Sequence, residues 1–115
     1  MPLHLKRLKE RGFNQAIELS RPITKSLKIP IDLHACTRIK STLPQTLIAP
    51  NERKKNVRNA FHANDSLKGK YVVILDDVMT SGETINALCK QLKAQQVKRI
   101  DVWCCARAGS SDLFF

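Results

Sequence analysis

Aromatic side chains are scarce in this 115-residue chain: they make up 5% of it, with one Trp and one Tyr. So small a complement argues against a surface dedicated to stacking bases. Acids are scarce as well, 10 Asp and Glu against 20 Lys and Arg, which leaves a formal charge of +10. No apolar run approaches the roughly 18 residues of a spanning helix, so membrane insertion is not expected. The basic start, with Lys6, Arg7, Lys9 and Arg11, has no apolar stretch behind it that could act as a signal-peptide core. That argues against secretion and for a cytoplasmic protein. The cysteines, Cys36, Cys89, Cys104 and Cys105, form no Cys-x-x-Cys pair. Strand neighbours point to opposite faces, so no zinc site is expected, and all four read as reduced, mostly packed thiols. Neither the Gly-x-x-x-x-Gly-Lys run of a P-loop nor the Gly-x-Gly-x-x-Gly turn of a dinucleotide fold occurs.

What is present fits one domain of residues 1–115, long enough to bury roughly two thirds of its unfolded surface. The positive excess lies in its first part: residues 1–68 hold 14 Lys and Arg against 5 acids, residues 69–115 hold 6 against 5. A phosphorylated metabolite, nucleic acid or a merely solvated face would each suit that asymmetry. Over residues 12–27, Phe13, Ala16, Ile17, Leu19, Ile23 and Leu27 fall near helical spacing, with Asn14 placed to cap the start. Pro22 predicts either two short helices, Ser20 capping the second, or one bent helix. Residues 35–40 read as a short strand. Residues 41–61, with Pro44, Pro50 and the basic run Arg53, Lys54, Lys55, read as a flexible loop.

Residues 69–107 are more regular. Tyr71, Val72, Val73, Ile74 and Leu75 form an unbroken apolar run into Asp76 and Asp77, the pattern of a parallel strand buried on both faces. Ile85, Leu88, Cys89 and Leu92 form a helical stripe, and residues 99–105 a second apolar strand that makes Trp103 a core candidate. Strand, helix and strand make a βαβ unit with a right-handed crossover, and so an α/β fold with an open, mainly parallel sheet flanked by helices.

Two carboxylates, Asp76 and Asp77, thus stand where a parallel strand ends, the place where open α/β sheets bind ligands. Thr80, Ser81, Gly82, Glu83 and Thr84 follow and open the helix. Small residues let backbone amides curl around an anion, and the helix dipole favours a phosphate. Either feature alone is common in structural turns and caps. Together they suit a ribose 5-phosphate, its vicinal hydroxyls on the acids and its phosphate in the turn.

The segment Val72-Val73-Ile74-Leu75-Asp76-Asp77-Val78-Met79-Thr80-Ser81-Gly82-Glu83-Thr84 resembles the phosphoribosyl-pyrophosphate (PRPP) motif of type I phosphoribosyltransferases. Pro2-Leu3-His4, Arg7, Arg11-Gly12-Phe13-Asn14-Gln15, Arg38, Thr42, Gln45, Arg53, Asn56-Val57 and Phe61 extend the likeness over nearly the whole chain to the competence protein F family. That family is implicated in DNA uptake during natural competence, and its members commonly carry an upstream cysteine-rich zinc module. The resemblance implies a member shortened at its N-terminus, lacking that module and the first strand; the sheet edge so left would invite a homodimer.

It further implies that Asp76 and Asp77 hold the ribose hydroxyls and that Thr80, Ser81, Gly82, Glu83 and Thr84 cradle the phosphate. Leu3, His4 and Arg7 would meet pyrophosphate, and Arg53, with Lys54, Lys55 and Arg58, would close over the site. Mg²⁺ would enter with PRPP, held through the substrate and through Asp76 and Asp77. Thr80 stands where the purine-salvage branch carries a basic Asp, which argues against a purine acceptor and leaves the acceptor open. Whether the chain transfers ribosyl phosphate also stays open. The alternative is a non-catalytic module of DNA uptake that meets single-stranded DNA or a competence helicase. His34 and His62 carry less weight, and Leu113, Phe114 and Phe115 form an apolar tail suited to docking.

Overall fold

A computed structural model of the chain describes residues 1–42, 47–79 and 82–107. Gln45, Thr80, Ser81 and the apolar tail lie outside the described residues. The element order is α1 (Leu5–Arg11), α2 (Gln15–Leu27), β1 (Cys36–Arg38), a 3₁₀ turn (Pro50–Glu52), α3 (Arg53–Val57), β2 (Phe61–Ala63), a second 3₁₀ turn (Asp65–Leu67), β3 (Tyr71–Met79), α4 (Glu83–Ala94) and β4 (Arg99–Arg107).

Local chemistry sets the helix ends. The Asn14 side-chain oxygen accepts from the N–H groups of Ala16 at 2.9 Å and Ile17 at 3.3 Å, satisfying two amides that α2 itself leaves unpaired. Pro22 leaves α2 as one helix. It and Glu18, whose carbonyl loses its helical donor, both lie on the exposed face, open to solvent. Ser20 is buried and donates from Oγ to the Ile17 carbonyl at 2.6 Å, so it is a helix-interior residue and no cap. The α1 helix carries no apolar stripe long enough to announce itself; His4 opens it and Gly12, at φ 81°, closes it with its N–H on the Leu8 carbonyl at 2.7 Å.

The βαβ unit forms as its pattern predicts. β3 and β4 pair in parallel from Tyr71 opposite Arg99 to Met79 opposite Arg107, and α4 connects them. Bonds from the Gly69 N–H to the Gln96 carbonyl and from the Lys98 N–H to the Lys70 carbonyl, both 2.9 Å, tie the strand starts together. A separate antiparallel pair, β1 with β2, matches Cys36 to Ala63 and Arg38 to Phe61. Arg38 is held there from two sides, donating to the Thr42 hydroxyl at 2.6 Å and lying over the Phe61 ring at 5.2 Å.

The core gathers Ile85, Leu88 and Leu92 of α4 with Ile74 of β3 and Val57, Ala60, Phe61 and Ala63. Leu92 is 1% exposed, and burying a side chain of that size stabilises the fold by about 1.5–3 kcal/mol. Part of this core comes from residues read as loop: α3 and β2 fold within 41–61 or abut it, because Val57, Ala60 and Phe61 supply enough apolar surface to dock on α4.

Two readings of the sheet are corrected. β3 is less buried than its pattern predicts: Ile74 is 4% exposed, whereas Tyr71 is 69% and Val78 45% exposed. Trp103 is 40% exposed and is no core residue. Cys104 and Cys105 are also exposed, while Cys36 and Cys89 are half-buried. The physical reason is shared. α3, β2 and α4 gather into a single cluster on Ile74, which leaves Tyr71 at the start of β3 and most of β4, Val102 and Trp103 included, open to solvent. No helix of the described residues is long and apolar enough to cross a membrane.

Candidate phosphate and sugar site

Asp76 and Asp77 lie inside the last turns of pleat of β3, which runs on to Met79. The Asp77 N–H donates to Asp76 Oδ1 at 3.0 Å. Burial pushes the Asp76 carboxyl up to about 6, the hydrogen-bonded side chain of Asp77 adds to the rise, and the nearby amino terminus opposes it. Among the described residues neither carboxylate is in an ion pair; the two ion pairs there are Arg21 with Glu18 and Arg99 with Asp101. The acids are therefore adjacent and half-buried, paired with no arginine among the described residues, and the Met1 amino group lies near them.

Beyond β3, Gly82 is the N-cap of α4 at φ 85°, a left-handed backbone that an L side chain rarely adopts. Nothing lies within 4 Å of where its Cβ would be, so backbone conformation and not space makes glycine suitable. Asn14 and His4 cap their helices with side chains, but Gly82 has none to offer the first amides of α4. Glu83 and Thr84 are half-buried in that first turn. Ile85, one residue on, is buried and fixes the turn to the core.

The segment before α1 reaches the same rim. The Met1 amino group donates to the Leu75 carbonyl at 2.5 Å, and the Asn14 side-chain amide donates to the Met1 carbonyl at 3.1 Å. Leu3 and His4 follow directly and are half-buried. His4 has a structural task, its Nδ1 accepting from the Lys6 N–H at 3.2 Å to cap α1. Arg7 falls on α1, its side chain outside what is described. Arg53 opens α3 and donates from Nε to the Ile48 carbonyl at 3.2 Å, an anchoring bond to its own segment. Sequence reasoning finds Asn14 as a cap but not as the clamp on Met1. Its amide nitrogen acts across 13 positions, and no local pattern encodes that reach.

The structure thus places a carboxylate pair, a helix start with glycine at its N-cap and an N-terminal segment around the end of one parallel strand. A family model described as phosphoribosyl transferase domain matches residues 14–114. The chain belongs to that family. Within it, this phosphoribosyl transferase domain is 35% identical over 107 residues to the DNA utilization protein YhgH of Escherichia coli (strain K12), covering 93% of this chain and 47% of that one. It is 34% identical over 107 residues to the protein of that name in Salmonella typhi, with the same coverage. It is 35% identical over 111 residues to Competence protein F of Haemophilus influenzae, covering 94% of this chain and 48% of that one. The domain therefore spans about half the length of the curated relatives it matches. No solved structure matches it.

Proposed function

We propose that this domain binds PRPP together with Mg²⁺ and presents its anomeric carbon to a nucleophile. One observation carries the reading: adjacent carboxylates at the end of β3 are followed by a helix whose N-cap, Gly82, has no side chain to bond its first amides. Asp76 and Asp77 would accept hydrogen bonds from the ribose hydroxyls. Backbone amides of Gly82, Glu83 and Thr84, continuing Thr80 and Ser81, would hold the 5-phosphate. The segment of Leu3, His4 and Arg7 would meet pyrophosphate. The two carboxylates are hard oxygen donors, a donor set that Mg²⁺ accepts. When bound, that ion supplies charge neutralisation for the leaving pyrophosphate. In the transfer step a bond forms from the nucleophile to the anomeric carbon as the bond to pyrophosphate breaks, and fixed basic groups favour the charge growing on the departing oxygen.

Calorimetric titration of PRPP with Mg²⁺ into the wild type and the Asp76→Asn, Asp77→Asn double variant tests it. A hydrogen bond to a charged group is worth roughly 1.5–3 kcal/mol, so at least about a tenfold loss per carboxylate is expected. Equal binding by both proteins, or no heat from either, would sink the reading.

The second reading is a non-catalytic module of DNA uptake that meets single-stranded DNA or a helicase partner. The charge of +10 favours it, as do the names of the relatives, DNA utilization protein and Competence protein F. Its mark would be affinity for DNA that falls with salt and ignores the Asp pair.

A further inference from the structure

β4 is a nine-residue edge strand: β3 lies on one side of it and, among the described residues, no strand lies on the other. Long natural edges are guarded by lysine, proline or a charge turned inward. Val102, Trp103, Cys104, Cys105 and Ala106 supply none of these, and all are exposed. The outer edge of β3, by contrast, is already met by the Met1 amino group on the Leu75 carbonyl. The Lys98 N–H donates to the Lys70 carbonyl just before the paired strands begin. With a period of two, the main-chain groups of Ile100, Val102, Cys104 and Ala106 therefore turn toward β3. Those of Asp101, Trp103, Cys105 and Arg107 turn outward, free to pair.

The charged residues of β4 are Arg99, Asp101 and Arg107, and they select the partner and its register. In a two-fold antiparallel pairing of β4 with its own copy, a centre at Trp103 sets Arg99 against Arg107, and a centre at Asp101 sets that acid against itself; like charges directly opposite are destabilising. A centre at Val102 leaves every charge without an opposite partner, and a centre at Ile100 joins only Arg99 to Asp101 of each strand. A centre at Cys104 sets each Asp101 against an Arg107 and joins Asp101 through Arg107 of both strands. The contact of Asp101 with Arg99 inside the strand, at 3.2 Å, leaves carboxylate lone pairs for this second guanidinium.

We propose that β4 pairs with β4 of a second copy in the Cys104-centred register, joining the two-stranded sheets of both chains into one. Trp103 then stands opposite Cys105 of the copy in a hydrogen-bonded pair. The two Cys104 residues face each other in a non-hydrogen-bonded pair, their Cα atoms about 4.5 Å apart. The Trp103 rings, 40% exposed in the single chain, become diagonal neighbours across the axis, within aromatic reach. Because the same edge serves both copies, the pairing closes as a dimer and builds no filament. It is independent of the PRPP reading.

The test is sedimentation of the full chain in a concentration series, in reducing buffer. The mass should pass from 13.0 kDa to twice that value. Emission of Trp103, the single tryptophan, should move to the blue along the same curve, and Cys104 and Cys105 should react more slowly with Ellman's reagent as the dimer forms. Arg107→Glu turns both opposite-charge pairs into like pairs and should weaken association about tenfold or more, with the folded monomer retained by circular dichroism. Adding Asp101→Lys to that variant restores opposite charges and should recover most of the loss. Diamide, which takes up the two thiol hydrogens as an S–S bond forms, should link chains of Cys105→Ser through Cys104. It should leave Cys104→Ser unlinked, since that register sets the two Cys105 residues too far apart for a disulfide. The proposal is overturned if the chain stays at 13.0 kDa throughout, if Arg107→Glu associates like the wild type, if the charge swap associates no better than Arg107→Glu, or if diamide links Cys105 as readily as Cys104.

Discussion

Replacing Asp76 by Asn should make the protein more stable even as it weakens the sugar binding proposed for the rim. The carboxyl sits at about 6 against an ordinary 3.8, first because burial penalises its charged form and then because the Asp77 side chain bonds to it. Between those values the folded chain keeps a proton that the unfolded chain has released. The group's contribution therefore favours the folded state most in acid and is lost as pH rises through about 6. One pKa unit is worth about 1.4 kcal/mol, which sets a ceiling near 3 kcal/mol. The carboxyl is only half-buried, so solvent screening brings this down to about 1–2 kcal/mol. Asn keeps the oxygen that accepts the Asp77 N–H at 3.0 Å and carries no charge to desolvate. At pH 7.5 the variant should gain about 1–2 kcal/mol, a rise in Tm of about 4–8 °C for a domain of this size. The gap should shrink by about half at pH 5 and to about a fifth at pH 4. Urea titrations of both proteins at the three pH values measure it directly. A variant less stable than wild type at pH 7.5, or a gap that does not move with pH, would refute the argument.

Other expectations can be checked with standard assays. Pro22 lies within α2 and removes a helical bond, so Pro22→Ala should raise unfolding free energy by about 1–3 kcal/mol in urea titration. Cys104 and Cys105 are exposed, while burial pushes the Cys36 and Cys89 thiols up. Ellman's reagent should therefore titrate two thiols quickly in the folded protein and the other two slowly, with all four reacting alike in denaturant. Leu92→Ala removes a side chain that is 1% exposed and should cost about 2–5 kcal/mol, read by thermal unfolding.

The parts of this fold that could be read in advance are those whose signal is local. The stripe of Ile85, Leu88 and Leu92 states both the helix and the face it buries, and the apolar run from Tyr71 states a strand. Asn14 announces the start of α2 because capping is chemistry within three residues. The α3 helix is too short, at five residues, to show a period. Val57, Ala60 and Phe61 look like stray apolar residues in a polar stretch until α4 is laid against them. How far each strand face is covered is likewise a tertiary matter, which is why Tyr71 and Trp103 look internal on paper and are open to water in space. At the rim, the acids and Gly82 were legible from order and residue type. The clamp of Asn14 on Met1 was not, since it joins two segments through one side chain.

α4 has two employments. Its first turn faces the rim, and from Ile85 onward the same rod is the spine of the interior. Any molecule gripping that first turn must therefore raise the melting point of the entire domain by mass action, in proportion to the logarithm of its concentration over its dissociation constant. The converse follows by the same linkage. A loosened leucine two or three turns down the rod would be felt at the rim as weakened grip, although it touches no bound atom, and affinity and heat resistance in this protein must drift together.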